Sequence, residues 1–190
     1  MNLLNKVFAK FHAVLLYPFL FKKYGKKSLI LSPLSLEGKF NIEIGQHVII
    51  QEHSWLAALP LTGSEVELIV KDESVVGHYC HIYATKSIII EKNVLIADKV
   101  YISDNVHSYD NIDIPIKNQP IKQCNSVRIG ESSWIGENVC VIGASVGRHC
   151  VIGANSVVTK DIPDYSVAVG VPAKVIKKYN FETQIWEKVE

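Results

Sequence analysis

An aliphatic residue returns on a six-residue beat through most of this chain, at Ile129, Ile135, Val141, Val146, Ile152 and Val158 in its second half. The same beat runs upstream through Ile44, Ile50 and Leu56, through Val70, Val76 and Ile82, and through Ile90, Ile96 and Ile102. Gly follows the aliphatic residue at Gly130, Gly136, Gly147 and Gly153, and a small side chain stands four places after it at Ser133, Val139, Ser145, Cys150 and Ser156. A period of six matches neither a helix nor strands linked by long crossovers. It predicts a coil of short strands, each pointing one aliphatic side chain inward, with Gly or a small polar residue at each corner. Glycine suits a corner because it tolerates positive φ, and the small residue suits a crowded inner corner. Three hexads close one triangular turn, and turns stack about 4.8 Å apart into a solenoid.

The beat breaks in four places. Residues 57–69 are irregular and contain Pro60 and Gly63, two residues are added between Ile82 and Ile90, and one is lost between Val141 and Val146. The largest break separates Ile102 from Ile129. Insertions in solenoids become loops, often on the binding face. The expected layout is a solenoid over residues 32–176 with an excursion loop at 107–127, preceded by an amphipathic helical segment (1–31) and followed by a short helix (177–190).

In the N-terminal segment Leu3, Leu4, Val7, Phe8, Phe11, Val14 and Leu15 follow helical spacing around Lys6 and Lys10, and Lys22, Lys23, Lys26 and Lys27 follow. The run AVLLYPFLF is too short for a membrane span and is interrupted by Pro18, and no small-residue cleavage site follows it. An apolar helix with a basic cluster predicts either peripheral membrane contact through residues 1–27 or a cap on the open end of the solenoid. A net charge of +1 gives no nucleic-acid signature. Of four cysteines, Cys80 and Cys150 fall on the small inward position and no CxxC occurs, so the thiols read as structural and reduced, as in a cytoplasmic protein.

His107 ends the hexad begun at Ile102, where the repeat gives way to its largest loop, and Asp104, Asp110, Asp113, Ser108 and Tyr109 lie close by in sequence. An imidazole beside carboxylates is suited to general-base chemistry on a hydroxyl, the carboxylate fixing tautomer and orientation. If Ile102, Val141 and Val158 share one face, Lys160 lies two coils, about 10 Å, from the His107 end of that face.

The segments ISDNVHSYD, IPIKNQP, VRIGESSWIGENV, CVIGANSVVTKDIP and GVPAKVI, in this order over residues 40–178, resemble the hexapeptide-repeat acyltransferases. Within these they are most similar to the galactoside, maltose and polysaccharide O-acetyltransferases. The resemblance implies an all-β left-handed parallel β-helix, a homotrimer with sites between neighbouring coils, and acetyl-CoA as co-substrate with no metal. It implies that His107 deprotonates a sugar hydroxyl, which attacks the thioester directly. Asp104, Tyr109, Asp110, Tyr83 and Thr85 are the implied acceptor residues, Thr85 standing in a stretch where these enzymes often carry Asn. Gly136, Ala154, Thr159 and Lys160 fall on the implied pantetheine track, Lys174 and Lys177 at its nucleotide end, and Trp134 at its wall. A surface polysaccharide or glycan precursor is the implied acceptor.

Three other readings fit parts of the pattern. N-acetylation of an amino sugar or antibiotic uses the same scaffold. A γ-type carbonic anhydrase would gather His78, His81 and His107 on zinc. Neighbouring corners are roughly 16–20 Å apart, too far for one chain to do so. A non-catalytic scaffold would neither bind acetyl-CoA nor depend on His107.

Overall fold

The computed structural model describes residues 3–63 and 65–189. The chain winds into a three-faced parallel β-helix. The first face stacks Lys23–Tyr24, Ile42–Ile44, Glu67–Val70, Ser87–Ile90 and Val127–Ile129, and single bridges through Val146 and Ile162 extend it. The second stacks Leu29–Ile30, Ile49–Ile50, Val75–Val76, Leu95–Ile96, Trp134–Ile135, Val151–Ile152 and Ser166–Val169. The third stacks Ser35–Glu37, Trp55–Ala58, His81–Ala84, Tyr101–Ser103, Cys140–Ile142 and Val157–Val158. The six-residue aliphatic positions all point into the prism: Ile44, Ile50, Leu56, Val70, Val76, Ile82, Ile90, Ile102, Ile129, Ile135, Val141, Ile152 and Val158 are fully buried.

The small inner position does more than avoid a clash. The hydroxyls of Ser28, Ser54, Ser74 and Ser133 donate to Gly45, Gly77, Glu91 and Gly147 carbonyls of the next coil, and accept from the N–H of Val48, Cys80, Val94 and Cys150. Backbone groups turned inward at a corner have no strand partner, and a buried one left unpaired costs about 1–3 kcal/mol. Each hydroxyl satisfies one donor and one acceptor. Cys80 and Cys150 are buried in the same kind of corner, where burial pushes the Cys80 thiol up to about 11.

The expected reason for the glycines is overturned. Gly130, Gly136, Gly147 and Gly153 do not have positive φ; the left-handed corner residues are non-glycine, among them Asn93 (59°), Ser132 (60°), Asn138 (57°) and Asn155 (59°). Glycine is needed because coils touch there. A Cβ on Gly130 would lie 2.4 Å from the backbone of Gly147 and Arg148, and one on Gly136 would lie 2.7 Å from that of Ile152 and Ala154. Gly130→Ala is therefore expected to destabilise the fold by about 1–3 kcal/mol, as for an overpacked site. Ser132→Gly should stay within about 1 kcal/mol of the parent, because relief of the left-handed strain offsets the entropy of a new glycine. Paired urea titrations check both, and equal losses would contradict this assignment.

The coil starts earlier than residue 32. Lys23–Tyr24 pairs with Glu43–Ile44 and Leu29–Ile30 with Ile49–Ile50. Before it lie helices Leu3–Leu15 and Tyr17–Leu20. Tyr17 and Phe21 are buried and pack with Tyr24 at ring separations of 5.2–5.5 Å, plugging the open end of the core. The side chains of Leu3, Leu4, Lys6 and Phe8 lie outside the described residues. No helix among the described residues is long and apolar enough to cross a membrane.

The expected helix over 177–190 is also corrected. Lys174–Asn180 pairs antiparallel with Ser166–Val169, and Ile185–Lys188 pairs back on it, so the chain ends as a hairpin on the second face. Two local causes are visible. The edge of Ser166–Val169 offers unpaired backbone groups, which a further strand satisfies. The Asn180 carboxamide accepts from the N–H of Glu182 and Thr183, which sets a turn in place of a first helical turn.

Candidate active site

His107 is held by a hairpin that leaves the third face at its corner with the first. Asn105–His107 pairs antiparallel with Ile121–Gln123, opposing His107 to Ile121. The expected excursion is therefore a structured arm. Its root is Asp104, which is completely buried. One carboxylate oxygen accepts from the Thr85 N–H (2.8 Å), the Thr85 hydroxyl (3.0 Å) and the Asn105 amide (3.1 Å). The other accepts from the N–H of Lys86 and Ser87, both at 2.8 Å. Five donors saturate the group, so Asp104 neither contacts an acceptor nor orients the imidazole; it ties the arm to the coil beneath. Thr85 is likewise buried, its hydroxyl held between Asp104 and Gln123. Neither residue is free to bind a sugar in the sense expected for it.

Three residues that the sequence reading passed over complete this arm. Gln123 donates to the carbonyls of Asp104 (2.6 Å) and Cys124 (3.1 Å); its own carbonyl oxygen accepts from the Thr62 hydroxyl and lies 3.0 Å from the Thr85 hydroxyl, whose one proton it shares with Asp104. Gln119, nearly buried, donates to the carbonyls of Asn111 (2.7 Å) and Ile114 (2.8 Å) and so shapes the loop. Asn105 reaches the carbonyl of Tyr83. Loop amides carry no periodic signal, and only Asp104 beside a repeat break hinted at an anchor.

The His107 imidazole is exposed and has no hydrogen-bond partner among the described residues. Tyr109 is exposed, and Asp110 pairs with Lys122 at 3.1 Å. Tyr83 lies on the outer side of the third face, edge-on to Trp55 and His81, and burial raises its phenol pKa.

The register expectation holds: Ile102 pairs with Val141 and Val141 with Val158 on the third face. Thr159 and Lys160 follow at the same corner as the His107 arm, two coils further along, and both are exposed. The other cofactor candidates sit elsewhere. Gly136 and Ala154 follow Ile135 and Ile152 and stack at the opposite corner, between second and third faces; Lys174 follows the next turn there. Trp134 and Lys177 lie on the outer second face, sharing a shallow hollow of about 370 Å³ with Trp186 and His149. A strand of the third face separates the two corners, so one chain does not unite His107 with Gly136 and Ala154. Among the described residues Lys160, Lys174 and Lys177 form no ion pair, which leaves three ammonium groups available to phosphates.

His78 and His81 are likewise apart from His107. His78 Nδ1 lies 3.1 Å from Asp98, and His81 stacks on Trp55 at 4.2 Å. Among the described residues no group of three or more His, Cys, Asp or Glu is placed to hold a metal ion.

Comparison with known proteins agrees with this architecture. The family described as the hexapeptide repeat of succinyl-transferase matches residues 126–160. Over 67 residues the chain is 54% identical to the putative lipopolysaccharide biosynthesis O-acetyl transferase WbbJ of Escherichia coli K12, covering 35% of this chain and 34% of that protein. It is also 54% identical over 67 residues to a probable acetyltransferase of Mycobacterium tuberculosis, covering 22% of it. The matches thus span about a third or less of these relatives' length. Among solved structures, AntD, an N-acyltransferase from Bacillus cereus in complex with dTDP and 3-hydroxybutyryl-CoA, superimposes with a TM-score of 0.74 at 20% identity, over 88% of each chain. The acetyltransferase domain of PglB from Neisseria gonorrhoeae, in complex with acetyl coenzyme A, gives 0.57 at 22% identity, over 78% of this chain and 57% of that one. The coil is the left-handed parallel β-helix. The chain thus carries a hexapeptide-repeat segment over residues 126–160 and shares its fold with solved structures of N-acyl- and acetyltransferases.

Proposed function

We propose that this protein is an acetyl-CoA-dependent O-acetyltransferase acting on a sugar hydroxyl, of a surface polysaccharide or glycan precursor, with His107 as general base. The observation that carries this reading is the arm itself: an exposed imidazole, without a hydrogen-bond partner among the described residues, on a paired hairpin at the corner where Thr159 and Lys160 emerge two coils away. Acetyl-CoA supplies the acetyl group as its thioester. An imidazole nitrogen of His107 takes the hydroxyl proton as that oxygen bonds to the acyl carbon and the C–S bond breaks, and returns the proton to the departing thiolate. The name of the Escherichia coli relative, an O-acetyl transferase of lipopolysaccharide biosynthesis, favours a hydroxyl over an amine as acceptor.

The reading includes a homotrimer, and the third face supports it. Its outer side carries a stack of Trp55, His81 and Tyr101, with ring separations of 4.2 and 5.2 Å. Trp55 Nε1 and His81 Nε2 are shielded there without a hydrogen-bond partner among the described residues, and desolvation lowers the His81 pKa. The outer first face, by contrast, is ionic, with the pairs Lys22–Glu43, Lys71–Glu91 and Arg128–Glu91. Three copies that turn their third faces to a common axis bring the corner of Gly136, Ala154 and Lys174 of one copy against the corner of His107, Thr159 and Lys160 of the next. That arrangement reunites the residues that one chain holds apart.

The test is acetyl-CoA consumption across nucleotide sugars and oligosaccharides, with the product identified by NMR and the mass in solution measured alongside. The expected product is an ester, formed by a species of three chains. An amide product would transfer the reading to N-acetylation, and an active monomer would remove the shared site. Absence of both coenzyme A binding and turnover would leave a scaffold.

A further inference from the structure

Among the described side chains of the N-terminal segment, Tyr17 and Phe21 are the ones buried in the end plug. Phe11, Val14, Leu15, Leu16 and Phe19 are 40–79% exposed and find no core to enter. Clustered apolar side chains of this size mark a contact surface. Beside them, between the first helix and the first coil, runs a groove of about 500 Å³, walled by Ala13, Val14, Pro18 and Leu29 and rimmed by Lys10, Lys26 and Lys27. No Asp or Glu occurs before Glu37. Lys22 is already paired with Glu43 at 2.9 Å, whereas the three rim lysines form no ion pair among the described residues.

From this we propose that the N-terminal end of the β-helix docks on an anionic bilayer surface, with headgroup phosphates on Lys10, Lys26 and Lys27 and acyl chains against Phe11, Val14 and Phe19. Charge selects this occupant. A second copy of the same end would set lysines against lysines, whereas a phosphate surface complements them. The 13-residue helix is about 20 Å long, shorter than a hydrocarbon core of about 30 Å, so it lies in the interface plane. The docking does not depend on acyl transfer. One corollary does rest on that reading: His107 leaves the fourth coil, three steps of about 4.8 Å above the first. With a helix of about 10 Å diameter beneath the coil, the reacting hydroxyl stands roughly 20–25 Å above the membrane. A membrane-borne acceptor must therefore present its sugar at that height, as an extended lipid-linked glycan does.

Co-sedimentation of the full chain with vesicles tests the docking. Partition onto phosphatidylglycerol-containing vesicles is expected to exceed that onto pure phosphatidylcholine at least tenfold, and to fall toward it near 1 M salt, where the Debye length is about 3 Å. Lys10→Gln, Lys26→Gln and Lys27→Gln should each weaken it about fivefold, and Val14→Glu with Phe19→Glu should weaken it tenfold or more. Both of those side chains are exposed, so the double variant keeps its fold and its transfer rate on a soluble acceptor, which separates this test from failure of the acyl-transfer reading. Equal binding to neutral and anionic vesicles, or parental binding by the double variant, would overturn the proposal. So would a double variant that leaves vesicle binding intact but dissociates the oligomer, since the face would then belong to a second copy.

Discussion

His107→Ala is expected to lower acetyl transfer by about 10²- to 10⁴-fold, the range general acid–base groups contribute, while acetyl-CoA binding stays near the parental value. The reason is positional. The imidazole projects from the end of a two-stranded arm, exposed and without a partner among the described residues, so its removal disturbs no packing and no hydrogen bond. The phosphate-binding candidates Lys160 and Lys174 lie on other turns and remain as they were. A kcat that collapses with unchanged thermal stability and an unchanged coenzyme dissociation constant is the expected signature. Full activity in the variant would remove His107 from the chemistry, and weakened coenzyme binding would assign it to binding.

Asp104→Asn should act differently, on the fold of the arm before the chemistry. The carboxylate accepts from five donors in a fully buried position. An amide keeps one acceptor oxygen but turns an NH₂ toward the N–H groups of Lys86 and Ser87. Two buried donors then lose their partner, at about 1–3 kcal/mol each, so a loss of about 2–5 kcal/mol is expected. For a chain of this length that is roughly 5–15 °C in melting temperature. Because Asp104 sits at the base of the hairpin, cleavage of residues 105–123 by protease should accelerate as well. A variant with parental stability and lost activity would instead return Asp104 to the acceptor site.

Most of the coil was legible before any coordinates, because a six-residue period in Ile, Val and Leu has one packing solution: a short strand per hexad with its aliphatic residue inside. The register that aligned Ile102, Val141 and Val158 follows from the same count. The corner glycines were read in the right place for the wrong reason. Positive φ is a local property that Asn93 and Ser132 accept, whereas the clash a Cβ on Gly130 would meet comes from Gly147, a coil away. The C-terminal hairpin was missed for a similar cause. NFETQIWEKV satisfies helical spacing, but the open edge of Ser166–Val169 lies outside that window and decides the outcome.

The candidate site was legible as a set of residues and not as an arrangement. Asp104 and His107 are three positions apart, yet one side chain points into the coil and the other into solvent, since the strand leaves the face between them. By itself the sequence determined the repeat, the buried ladder, the place of the arm and the lack of early acidic residues, all of which are properties of order and composition. Only the tertiary structure decided which corner each residue occupies. It put Gly136 and Ala154 across the third face from His107, saturated Asp104 and left a lysine-rimmed groove at the N-terminal end. Those outcomes depend on contacts between coils, which no single hexad contains.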